Sequence, residues 1–150
     1  MNIKCDEQKD LFVERQIKFF PNANKDVLYF IADFLYHNIH DIREVDHVLY
    51  LFRAGYCYYF AIMLKTAFNR GTICWAAPHG HIVWRDENGI SYDIEGVNIS
   101  DIEEYIPIEY IGNAINDFRH VRGIEYNITD QEIASIILKY QEQMRAKASF

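Results

Sequence analysis

The chain has 150 residues, half of them hydrophobic, and a formal net charge of −7 at pH 7. This length supports one domain with a buried core, and the apolar and aromatic content argues against intrinsic disorder. The acidic balance disfavours a general nucleic-acid-binding role, and no apolar run approaches the length of a membrane span.

The N-terminal third is predicted to be helical. A first helix is expected over about residues 7–20, followed by a break at Pro21-Asn-Ala-Asn24. Asn24 is a suitable N-cap for a second helix over about 25–38, because its short side chain can accept hydrogen bonds from the first turn. A third segment, about 42–53, has apolar residues at the same helical spacing, which predicts a third buried face.

The middle of the chain is predicted to form a helix followed by strands. Cys57 opens an apolar run to Arg70 that is typical of a helix, and Gly71 follows where that helix would stop. Three strands are then expected, at 72–77, 81–84 and 90–94. The Glu87-Asn-Gly89 segment predicts a tight hairpin turn between the last two strands.

Two capping-box patterns mark the C-terminal part. Ser100-Asp-Ile-Glu103 predicts a short helix that Pro107 would end, and Thr129-Asp-Gln-Glu132 predicts a helix to about Lys147. Helices first, a small antiparallel sheet next and helices last define an α+β fold. We interpret residues 1–150 as a single domain with a helical part (1–53), a central core (54–97) and a second helical part (98–150).

Cys57, His81 and Asp93 carry the chemical signal of this sequence. A thiol at a helix start experiences the positive end of the helix dipole, which favours the thiolate form of a cysteine. A two-residue loop at Asn88-Gly89 sets Asp93 roughly opposite Trp84, within diagonal reach of His81. A carboxylate there could hold one imidazole nitrogen and leave the other for the thiol, which is a nucleophile–base–orienter arrangement.

Three segments carry a family resemblance: Gly55-Tyr-Cys57-Tyr-Tyr-Phe-Ala61, Gly80-His81-Ile-Val-Trp84 and Gly89-Ile-Ser-Tyr-Asp93. Their order resembles that of papain-like and transglutaminase-like cysteine enzymes, over about residues 50–97. In those families a Cys begins a core helix, a His begins a following strand, and an Asp or Asn lies on the next strand. The resemblance implies a papain-like core in which a Cys-bearing helix packs on a small antiparallel sheet.

The resemblance also implies thiol-dependent acyl hydrolysis or transfer at an amide, isopeptide or thioester bond. Cys57 would be the nucleophile, His81 the proton acceptor and donor, and Asp93 the residue that orients His81. The substrate would be a peptide, a protein or a small amide or thioester, with no cofactor, metal, nucleic acid or membrane. Papain-like peptidases also have a Gln shortly before the Cys, and Leu49-Tyr-Leu-Phe-Arg53 has none, so a catalytically silent binding domain is the alternative.

Other assignments of the same residue types stay open. Cys74 could be the thiol and His79 its base, although Cys74 lies within a predicted strand and lacks a helix terminus. His79 and His81, with Cys74 or Asp93, could instead ligate a metal, although their spacing matches no common zinc pattern.

The cysteines and the N-terminus bear on the compartment. Cys5, Cys57 and Cys74 are odd in number and form no CxxC pair, which favours reduced thiols over a disulfide framework. The first ten residues contain no apolar segment of signal-peptide length. We therefore expect a cytoplasmic protein, with non-classical delivery left open.

Overall fold

The computed structural model describes residues 4–37, 42–54, 57–77, 81–100 and 104–110. Within these ranges the protein is α+β, with four helices followed by a five-stranded antiparallel sheet. The helices are α1 (Cys5–Phe19), α2 (Lys25–Tyr36), α3 (Ile42–Ala54) and α4 (Cys57–Phe68). The strands are β1 (Thr72–Ala77), β2 (His81–Arg85), β3 (Ser91–Asp93), β4 (Gly96–Val97) and β5 (Glu104–Pro107), in the order β4-β3-β2-β1-β5.

The helices begin close to where the sequence predicted them. Asn24 caps α2 as expected, because its side-chain oxygen accepts from the backbone N–H groups of Asp26 and Val27 at 2.9 and 3.3 Å. Helix α4 begins at Cys57, as predicted, and ends two residues before Arg70. Asn69 adopts a left-handed backbone (φ 52°) directly after it, which stops the helix.

An aromatic cluster joins three of the helices. The rings of Phe34 on α2, Phe52 on α3 and Phe60 on α4 lie with centroids 5.2 to 5.8 Å apart. Edge-on and tilted packing of this kind adds to the burial of apolar area. Helix α4 also packs on β2, where Phe68 stacks on Trp84 at 5.8 Å. These contacts fix α4 against the sheet and so place its first residue, Cys57.

The predicted two-residue hairpin loop is wrong. Trp84 pairs with Tyr92 and Arg85 with Ser91, so the loop is one residue longer than expected. Asp86 stabilises it by accepting on Oδ1 from the backbone N–H groups of Asn88 and Ile90, both at 2.9 Å. Gly89 supplies the left-handed residue (φ 80°) that three-residue hairpin loops need.

The longer loop changes which face of the sheet carries Asp93. With Trp84 opposite Tyr92, the next residue, Asp93, falls at the level of Val83. Side chains alternate along a strand, so Asp93, Val83 and His81 share one face. The predicted pairing with Trp84 would have placed Asp93 on the other face.

The predicted short helix ending at Pro107 is also wrong. Glu104–Pro107 is strand β5, in which Tyr105 pairs with Ala76 and Ile106 with Trp75. Pairing with the open edge of β1 outweighs the local helical signal, because it satisfies the backbone groups of both strands. Residues 101–103 and the predicted helix from Thr129 to about Lys147 lie outside the described residues. No helix in the described ranges is long and apolar enough to cross a membrane.

Candidate active site

The hydrogen bond between His81 and Asp93 is the centre of the site. Nε2 of His81 lies 2.8 Å from Oδ2 of Asp93, and the two side chains are 23% and 7% exposed. The sequence predicted this contact, although it placed the strands in a register that the structure corrects. Because Nε2 faces the carboxylate, Nδ1 is the ring nitrogen left for another partner.

Cys57 is the second group that acts on the His81 ring. The sulfur interacts with the His81 imidazole both as a hydrogen-bond partner and through charge. Cys57 is the first residue of α4, where backbone N–H groups have no partner within the helix. The structure thus brings together all three residues that the sequence singled out.

The environment of His81 strongly favours the protonated ring. Burial by itself lowers the pKa of His81, because it disfavours the charged form. Hydrogen bonds and electrostatic interactions with Asp93 and Cys57 act in the opposite direction and prevail. Together they raise the pKa of His81 from its ordinary 6.5 to about 10. The imidazole is therefore a cation at neutral pH.

Asp93 is held by more than His81. Its Oδ1 accepts from the backbone N–H of Glu95 at 2.8 Å, and its Oδ2 accepts from Nδ2 of Asn98 at 3.0 Å. Asn98 in turn lies 2.9 Å, through Oδ1, from the hydroxyl of Tyr105. Sequence reasoning missed Asn98 and Tyr105. Asn98 could have been found as a polar residue shortly after the strand that carries Asp93. Tyr105 could not, because its segment was predicted to be helical.

The turn that follows Asp93 is anchored to two helices. Gln16 of α1 accepts from Val97 N–H at 2.9 Å and donates to the Glu95 carbonyl at 3.2 Å. Arg53 of α3 forms an ion pair with the Glu95 carboxylate. Gly96 makes the close approach of Gln16 possible, because a Cβ there would lie 2.5 Å from the Gln16 side chain. The position of Asp93 therefore depends on the helical layer.

Cys74 has a different environment from Cys57. It lies within β1, 2% exposed, with its sulfur 3.7 Å from the Thr72 carbonyl. Burial raises the pKa of the Cys74 thiol, and the charge of Arg85 offsets this only in part. His79, its proposed base, lies outside the described residues. Within the described part of the chain, no three His, Cys, Asp or Glu side chains come together as a metal site.

A buried thiol, an imidazolium and an anchored carboxylate on an α+β scaffold define a cysteine–histidine–aspartate site. The chain belongs to the phage YunG-like family, whose model matches residues 35–129 and so includes all three residues. No curated protein and no solved structure matches the chain. The family description names no reaction.

Proposed function

We propose that this protein is a thiol-dependent acyl hydrolase or transferase acting at an amide, isopeptide or thioester bond. The observation that carries the proposal is the position of His81 between Cys57 and Asp93. One ring nitrogen of His81 bonds Asp93 at 2.8 Å, and the imidazole also interacts with the Cys57 sulfur. Nucleophilic cysteines are activated by this combination of an adjacent imidazole and an orienting third group.

The chemistry follows from the protonation of His81. A cationic imidazole next to sulfur stabilises the thiolate, which is the nucleophilic form of cysteine. The thiolate sulfur of Cys57 forms a bond to the substrate carbonyl carbon, and the C=O π electrons move onto the carbonyl oxygen. The imidazolium then returns the proton to the leaving amine or thiol as the acyl bond breaks. The product of this half-reaction is a thioester between Cys57 and the acyl group.

The second half-reaction regenerates the thiolate–imidazolium pair. Water, or an acceptor amine or thiol, loses a proton to the now neutral His81 and attacks the Cys57 thioester. The C–S bond then breaks, and the sulfur leaves as the thiolate beside the protonated ring. Asp93 stabilises the charged ring at each stage and keeps its orientation. The backbone N–H of Cys57, at the start of α4, is the donor we assign to the carbonyl oxygen as it becomes negative.

The experiment is acylation by an activated ester. We expect p-nitrophenyl acetate to give a burst of p-nitrophenolate and an acetyl group on Cys57, located by peptide mass. Cys57→Ala should abolish the burst, and His81→Ala should reduce it strongly, whereas Cys74→Ala serves as the matched control. An absence of acetyl on Cys57, with acetyl on Cys5 instead, contradicts the proposal.

A binding domain without catalysis is the second candidate. The observation that favours it is the burial of Cys57, which is only 5% exposed. A nucleophile must reach its substrate, and a sealed sulfur would instead serve as core filling. This candidate predicts that small alkylating reagents modify Cys57 no faster than Cys5, so the reactivity of the thiol separates the two.

A further inference from the structure

Both oxygens of Asp93 are fixed by donors other than His81. The Glu95 N–H holds Oδ1 at 2.8 Å, and the Asn98 amide holds Oδ2 at 3.0 Å. The carboxylate therefore cannot rotate about its Cβ–Cγ bond without losing one of these bonds. Since the side chain is 7% exposed, bulk water is a poor replacement for a lost donor.

The orientation of the Asn98 amide is set by Asp93, and Tyr105 holds the other end of that amide. The Asp93 carboxylate only accepts, so the NH₂ group of Asn98 turns toward it and Oδ1 turns away. The Tyr105 hydroxyl lies 2.9 Å from Oδ1 and 2.8 Å from the backbone oxygen of Asn98. The single hydroxyl hydrogen is shared between these two acceptors. Tyr105 therefore holds the Asn98 side chain in place beside Asp93.

The network also joins the two edges of the sheet. Tyr105 on β5 pairs with Ala76 on β1, and Ala76 pairs with His81 on β2. Asn98 directly follows β4, the opposite edge strand, and its backbone N–H donates to the Ser91 carbonyl at 2.7 Å. The Asn98–Tyr105 contact thus spans the face of the sheet that carries His81 and Asp93.

We propose that Asn98 and Tyr105 are positioning residues for the site formed by Cys57, His81 and Asp93. Asn98 keeps Oδ2 of Asp93 where it holds Nε2 of His81, so that the ring keeps its orientation relative to Cys57. Tyr105 holds the Asn98 amide in that place through its contact with Oδ1. That Asn98 and Tyr105 assist catalysis rests on the proposed function. The hydrogen bonds from Asp93 to Asn98 and from Asn98 to Tyr105 belong to the fold itself.

Two variants test the role. Asn98→Leu removes the donor at similar volume, and Tyr105→Phe removes only the hydroxyl. We expect iodoacetamide at pH 6 to alkylate Cys57 roughly tenfold more slowly in Asn98→Leu than in the wild type. This factor corresponds to the loss of one hydrogen bond to a charged group. Tyr105→Phe should slow it less. In both variants the NMR signal of the His81 ring N–H should broaden through faster exchange with water.

Controls separate positioning from general damage. Tyr110→Phe changes a tyrosine that is 75% exposed and should leave Cys57 as fast as in the wild type, while Cys5 serves as an internal reference. Because Asn98 and Tyr105 act through one amide, the double variant should be no slower than Asn98→Leu alone. Additive slowing, or an unchanged rate and ring N–H signal in both single variants, overturns the proposal.

The experiment stays decisive if one variant does not fold or if the wild-type Cys57 is not reactive. If Asn98→Leu does not fold, Tyr105→Phe decides on the same two readouts. If Cys57 of the wild type is no faster than Cys5, the proposed function fails. The His81 ring N–H signal then still decides whether Asn98 and Tyr105 position Asp93.

Discussion

Nε2 of His81 and Oδ2 of Asp93 lie 2.8 Å apart on neighbouring antiparallel strands, with the carboxylate almost fully buried. A charge pair at this distance is weakly screened, because little water reaches it. Asp93 is tied to the helices through the turn that follows it, and Cys57 is placed by α4. The pair therefore links the helical layer to the sheet, and five predictions about this arrangement can be measured.

Asp93→Asn should lower the pKa of His81 by at least about one unit. The amide oxygen can still accept from Nε2, so the hairpin stays paired, but the negative charge that favours imidazolium is lost. An NMR titration of the His81 ring in both proteins measures the change. Glu87→Gln is the matched control, because it also removes one carboxylate charge, from an ion pair with Arg70 on the hairpin loop. An unchanged pKa in Asp93→Asn would remove Asp93 from the site.

The raised pKa of His81 also predicts how stability depends on pH. The folded value, about 10, exceeds the ordinary value of 6.5, so the folded state binds the proton more tightly than the unfolded chain. This stabilisation is fully present below about pH 6.5 and is lost as the pH rises through about 10. Thermal melts between these limits should show Tm falling more steeply in the wild type than in Asp93→Asn. Parallel curves would assign the decline to other groups.

Cys57 should be the fastest of the three cysteines to react with iodoacetamide at pH 6. Cys5 is also the first residue of a helix, α1, so it controls for the helix terminus, and Cys74 controls for burial. Rates for each peptide by mass spectrometry provide the comparison. Equal rates for Cys57 and Cys5 would show that His81 does not activate the sulfur.

Cys57→Ser should leave the fold intact. The substitution is nearly isosteric, and the hydroxyl can use the same hydrogen-bonding neighbour, so we expect a cost on the order of 1 kcal/mol. Melting curves should shift by less than about 10 °C. A larger drop would indicate that the sulfur serves mainly as packing in the core.

Gly96→Ala should destabilise the protein by more than about 1 kcal/mol. Gly96 has φ 107°, and an added Cβ would meet the Gln16 side chain at 2.5 Å. Gly89→Ala is the matched control, since Gly89 also has positive φ but its Cβ would meet only the end of Arg85, at 3.3 Å. Chemical denaturation measures both free energies of unfolding. Replacing Gln16 by Ala as well should recover part of the loss, and equal costs for the two glycines would contradict the clash.

The positions of the helices could be predicted from local sequence patterns. Asn24 marks the start of α2 because its short side chain accepts hydrogen bonds from the first turn of that helix. Both donors lie within three residues of Asn24 in the chain. Cys57 begins α4 where the apolar run begins. Such signals depend on neighbours in the chain, and folding does not change them.

The pairing between strands was harder to predict from the sequence. The pattern at Ser100–Glu103 predicted a helix, but the following residues complete the sheet beside β1. The Asn88-Gly89 pair predicted a two-residue loop, but Asp86 caps a longer one. In both places the hydrogen bonds of the folded protein outweigh the propensity of a few residues.

The sequence by itself determined the α+β class, with helices before an antiparallel sheet, because residue type and spacing are local. It also predicted that Cys57, His81 and Asp93 lie together. Only the tertiary structure decided that Asp93 shares a face with His81, since one residue of register reverses the face of a strand. It also decided that Asn98 holds the carboxylate of Asp93 and contacts Tyr105, because the distance between β4 and β5 depends on how the whole sheet assembles.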